Sequence, residues 1–177
     1  MLEEKESFSW GECFESICNS ALIPQVIDDF DADHPVHEFQ AYWDGLADGD
    51  MPDNTQFSPV HVKSCLRWLM IFKETELGEE FDFQLTLLGT SASEMTIHAK
   101  QGQFLKEFTE NACYQTRKAV MIDAIQAGKP AFARINMASN GEYKTNVMIG
   151  MFPFRENGGH KVYVIPCPEN KKLRALM

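Results

Sequence analysis

Phe81-Asp82-Phe83-Gln84-Leu85-Thr86-Leu87 alternates apolar and polar residues. Successive side chains leave a pleated backbone on opposite sides, so a period of two marks a strand with one buried face. Just upstream, Trp68-Leu69-Met70-Ile71-Phe72 is a short apolar run, and Gly78 lies between the two. Together they read as a β-hairpin. Gly89-Thr90-Ser91 ends it.

Downstream, residues 91–108 are irregular and short-helical, punctuated by Gly102. A longer helix is predicted next, with Asn111 as its cap. Cys113, Thr116, Val120, Ile122 and Ile125 supply its apolar pattern, and Gly128-Lys129-Pro130 stops it. Three strands are predicted over 131–137, 143–154 and 161–165. Asn140-Gly141 and Asn157-Gly158-Gly159 are their turns. Upstream, Asp33-His34-Pro35 opens a helix with Asp33 as cap, and Phe39, Tyr42, Trp43 and Leu46 share one face. A second helix is predicted from Ser58-Pro59, carrying Val62, Cys65 and Leu66. The fold class is α+β, with a five-stranded antiparallel sheet, a cluster of short helices and an N-terminal helical extension. Residues 1–33 are the extension and an acidic linker, 34–170 the domain, and 171–177 a C-terminal tail. In the extension, Phe8, Trp10, Phe14 and Ile17 recur at roughly helical spacing until Leu22-Ile23-Pro24 interrupts them.

The chain has 177 residues, with 16 Lys and Arg against 26 Asp and Glu, a net charge of −10. A nucleic-acid binder needs a basic stripe to displace counterions, and anionic lipid asks for the same charge. Neither partner is expected. No apolar run nears the ~20 residues that span a bilayer. Met1-Leu2-Glu3-Glu4-Lys5-Glu6 is acidic, where a secretory signal would be basic and then apolar. Cys13, Cys18, Cys65, Cys113 and Cys167 are odd in number and scattered, which fits free thiols in a reducing cytoplasm. Cys13 and Cys18 lack a second pair at metal-ligand spacing, so no metal is expected.

The order of elements resembles a PAS domain, a sensory fold, and more narrowly a bacterial family of stand-alone PAS proteins. The residues that carry the resemblance span roughly 34–166. Tyr42-Trp43-Asp44-Gly45-Leu46, Met51-Pro52 and Phe57-Ser58-Pro59-Val60 look like the family's opening helix and its turn. Leu66-Arg67-Trp68-Leu69-Met70-Ile71 looks like its first strand. Residues 81–90, with their Gly-Thr ending, look like its second. Gly102-Gln103-Phe104-Leu105, Ala127-Gly128-Lys129-Pro130 and Met151-Phe152-Pro153 resemble later steps of the pattern. Ile97 and His98 stand where the family often has a small and then a basic residue.

The resemblance implies a stand-alone cytoplasmic sensory or regulatory module. It would bind a small ligand, a partner signalling protein, or both. A flanking helix and a homodimer interface would carry the signal. The alternatives are a ligand-free adaptor and, further off, a small enzyme using the concave sheet face. No Ser-His-Asp order, Gly-x-Ser-x-Gly elbow or phosphate loop occurs, so catalysis is not expected.

His98 lies in the segment that lines the cavity of many PAS domains. There it could reach a ligand or serve as an axial haem ligand. Met95, Phe104, Phe108, Met121 and Met148 are candidates for an apolar lining, since Met adapts to irregular gaps. Arg134, Asn136, Tyr143 and Asn146 are candidates for its polar groups. Phe8, Trp10, Phe14 and Ile17 are candidates for an interface, as are Phe39, Tyr42 and Trp43.

Overall fold

Strand β2, Met70–Leu77, pairs antiparallel with β3, Glu80–Leu88, so the hairpin is present, but its first strand starts later than expected: Leu66–Trp68 form a 3₁₀ turn and Leu69 ends it. The computed structural model describes residues 22–96, 98–138 and 144–177. Ile71 faces Leu87 but Phe72 faces Leu85, which leaves Thr86 as an extra residue on β3. Such a bulge reverses the side-chain parity beyond it. Phe83 and Leu85 are fully buried, whereas Leu87 is 38% exposed and Leu88 packs on the core instead.

The remaining strands are β1, Ile23–Gln25, β4, Ala131–Ala138, β5, Lys144–Glu156, and β6, Gly159–Pro168. Among the described residues the sheet is antiparallel, in the order β1-β4-β5-β6-β2-β3. It therefore has six strands rather than the predicted five. The addition is β1, which sets Ile23 against Arg134 and Gln25 against Phe132. By sequence alone, Pro24 reads as a break in this stretch. On an edge strand, however, a residue without an N–H costs no ladder bond.

Helix α1, Pro35–Ala47, crosses one face of the sheet and buries Val36, Phe39 and Trp43. The Phe39 ring lies 4.7 Å from that of Phe152 and 6.1 Å from that of Tyr163. The indole N–H of Trp43 donates to the Pro153 carbonyl at 2.9 Å. A Cβ on Gly150 would come within 2.7 Å of the Phe152 ring and 3.0 Å of Val36, so the helix sits as close as a glycine allows. Phe39, Tyr42 and Trp43 were expected at a partner interface. Phe39 and Trp43 are instead buried within the chain, and Tyr42 is half-buried, its hydroxyl accepting from the Ser58 N–H at 2.7 Å. The opposite face carries α2, Thr90–Met95, α3, Leu105–Phe108, and α4, Asn111–Ala127.

Other predicted features change in the structure. The helix expected from Ser58 is a pair of 3₁₀ turns, Pro59–His61 and Leu66–Trp68. The buried residues there are Val62, Cys65 and Trp68, three apart, which matches three residues per turn. In α4 the buried residues are Met121 and Ala124, and Thr116 is exposed. Asn111 is the first residue of α4 rather than its cap, whereas Gly128 does end it in the left-handed conformation, at φ 63°. The tail is a helix, α5, Lys171–Leu176, capped by Asn170. Its Arg174 is buried and donates to the carbonyls of Pro168 and Glu169 and to Asp33.

That contact displaces the predicted cap of α1. Asp33 is held by Lys171 at 2.7 Å and Arg174 at 3.1 Å, and the Lys171 hydrogen bond leads in keeping its carboxyl below the ordinary carboxylate range. His34 caps the helix instead. Its Nδ1 accepts from the Val36 N–H at 3.3 Å, so the ring proton sits on Nε2, 3.2 Å from the Cys167 carbonyl. The first bond needs a neutral ring, whereas the Nε2–H can donate to Cys167 in either state; burial dominates and lowers the His34 pKa from 6.5 to about 4. A depressed histidine contributes fully above its unfolded pKa and loses that contribution as pH falls. The loss should run from pH 6.5 to about 4 at roughly 1.4 kcal/mol per unit, about 3 kcal/mol in all. His34→Asn keeps a capping acceptor without the titration. Urea unfolding across that window should show a shallower acid decline in the variant. Parallel curves would exclude His34 as the cause.

Candidate functional site

A cavity of about 80 Å³ lies between the sheet and helices α2–α4. Its floor is built from alternate residues of four strands. β5 contributes Val147, Ile149 and Met151, β6 Val164 and Pro166, β2 Met70 and Phe72, and β4 Ile135. Its roof is Met95 of α2, Leu105 and Phe108 of α3, and Met121 and Arg117 of α4. Thr96, His98 and Ala99 close one side, and Leu22, just before β1, closes another.

The lining is apolar apart from a few groups. The Thr96 hydroxyl donates to the Ala92 carbonyl at 2.7 Å. Arg117 is half-buried and His98 is exposed, so the longer polar side chains stand towards the rim. An apolar space of this kind excludes ions and rewards a molecule that fills it by contact.

Four of the predicted ligand residues meet here: Met95, His98, Phe108 and Met121. Arg134, Asn136, Asn146 and Met148 do not. They alternate with Ile135 and Val147, and strand parity turns them to the α1 face. Asn146 there donates to Glu169 at 2.9 Å, and Met148 is buried. Phe104 precedes α3 and pairs with Gln84, away from the cavity. Tyr143, Ile97, the Asn140-Gly141 turn, Cys13, Cys18 and the stripe of Phe8, Trp10, Phe14 and Ile17 lie outside the described residues. Sequence reading missed Arg117, Leu22 and most of the floor. The odd-numbered positions of β5 carried a usable signal, because Val147, Ile149 and Met151 alternate.

Haem does not fit. Ligand pockets for molecules of drug size run to roughly 300–1,000 Å³, several times this space. His98, the proposed axial ligand, is exposed. Among the described residues no group of three or more His, Cys, Asp or Glu could hold a metal ion. The buried thiols Cys65 and Cys167 lie outside the cavity lining. Burial pushes Cys65 up to about 12 and Cys167 higher still, so neither is a thiolate near neutrality. Glu94, Glu107 and Glu110 are exposed and line no part of the cavity. No described helix is long and apolar enough to cross a membrane. Comparison with protein-family models, with curated proteins and with solved structures finds no significant match.

Proposed function

We propose that the chain is a PAS-type sensory or regulatory module of the cytoplasm. In this reading it takes a small, mostly apolar molecule between the sheet and α2–α4 and signals through a partner protein. The observation that carries the reading is the cavity: four strands and three helices converge on it, and Arg117 and His98 reach only its rim. The helices between β3 and β4, placed over one sheet face, support the family resemblance. Occupancy would shift Met95 and Met121, and with them α2 and α4, between two packings.

One observation favours a second reading, a ligand-free adaptor. About 80 Å³ is small for a ligand pocket, and adaptive methionines could close it. Thermal unfolding against a panel of small apolar and amphiphilic compounds separates the two. A ligand at a hundred times its dissociation constant stabilises by about 2.7 kcal/mol. Val164→Phe fills the space, so it should abolish such a shift. A saturable shift that survives in Val164→Phe would place binding elsewhere.

A further inference from the structure

Beside the cavity, α4 and the edge of the sheet leave a groove of about 490 Å³. Leu22, Val26, Ile27, Val120, Pro130 and Phe132 make it largely apolar. Val26 is 60% exposed, one of few large apolar side chains left so open among the described residues. Leu22 belongs both to this groove and to the cavity wall. We propose that the groove is the docking site of the chain's own N-terminal segment, with Phe8, Trp10, Phe14 and Ile17 as the inserted residues.

The tether decides the occupant. Only residues 19–21 separate Cys18 from Leu22, and Leu22 already lies on the groove. Ile17, the last residue of the stripe, is five steps from Leu22, a reach of at most about 18 Å, so the end of the stripe is tethered within reach of the groove. A short tether gives an effective concentration in the millimolar range, well above that of a second copy in dilute solution. Apolar spacing on the segment and apolar lining on the groove supply the contact. Docking of this kind places the segment at the Leu22 side of the cavity, where the two sites share a wall. Docking of the segment requires no ligand in the cavity.

The test is alkylation of the full chain by iodoacetamide, with Cys13 and Cys18 followed by peptide mass. Buried Cys65 and Cys167 report whether the fold is intact. Docking predicts that Cys13 or Cys18 reacts at least about tenfold faster in Trp10→Ala and in Val26→Glu than in the parent chain. Val26 is exposed, so its substitution should leave the domain folded. The parent rate should not depend on protein concentration. Equal rates in all three proteins would overturn the proposal, whether fast or slow. So would protection that grows with concentration alongside a dimer mass, since a second copy would then be the occupant.

Discussion

Gly89→Ala is expected to destabilise the protein by about 3 kcal/mol, towards the upper end of the overpacking range. Gly89 has an ordinary φ of −67°, so conformational freedom is not what it supplies. Space is. A Cβ there would come within 2.6 Å of the backbone oxygens of both Leu66 and Arg67. Backbone atoms cannot rotate aside as a side chain can. The Gly89 N–H also donates to the Leu69 carbonyl at 2.8 Å, which ties the start of α2 to the 3₁₀ turn at Leu66–Trp68. The methyl would therefore push α2, and Met95 with it, off the sheet. Gly45→Ala is the control. It lies inside α1 with nothing within 4 Å, so the same methyl should be neutral or stabilise by up to about 1 kcal/mol. Urea unfolding of the two variants reads the difference directly. Equal stabilities would refute the packing described at Gly89.

Phe39→Ala should cost more, about 3–5 kcal/mol. Phe39 is fully buried, and its ring meets those of Tyr42, Phe57, Phe152 and Tyr163 at centroid distances of 4.7–6.2 Å. Truncation leaves a cavity between α1 and β5 that the close approach at Gly150 cannot relax to fill. The loss should be the same at low and high protein concentration, because every partner lies in one chain. A loss under about 1 kcal/mol, or one that varies with concentration, would return this face of α1 to an intermolecular interface.

The strands of the domain were legible because their signals are local. The alternation at 81–85, the Gly128-Lys129-Pro130 stop and the turn at Asn157-Gly158 need only their neighbours to be read. The differences arise where a distant group intervenes. Asp33 is a good capping residue by type, but Lys171 and Arg174 hold it, so His34 takes the cap. β1 is three residues around a proline, and only β4 beside it makes a strand of it. The bulge at Thr86 is set by β2, whose adjacent Ile71 and Phe72 pair with Leu87 and Leu85, and no reading of β3 alone contains it.

The cavity was half legible for a related reason. Apolar residues of the helical cluster were sound candidates, and Met95, Phe108 and Met121 meet there. The polar candidates failed by one residue of parity. Arg134, Asn136 and Asn146 have the right chemistry, yet on a strand the neighbour of an inward residue points outward. Arg117 sits on α4, where a weak apolar periodicity hid which side faces the sheet.

The most direct test of the central claim is native mass spectrometry of the full chain purified from its own host, beside Val164→Phe treated identically. A small molecule held in the cavity predicts an extra mass on the parent protein. It should leave on denaturation and be missing from the filled variant. A parent chain that carries no extra mass, or a variant that carries the same one, would contradict it.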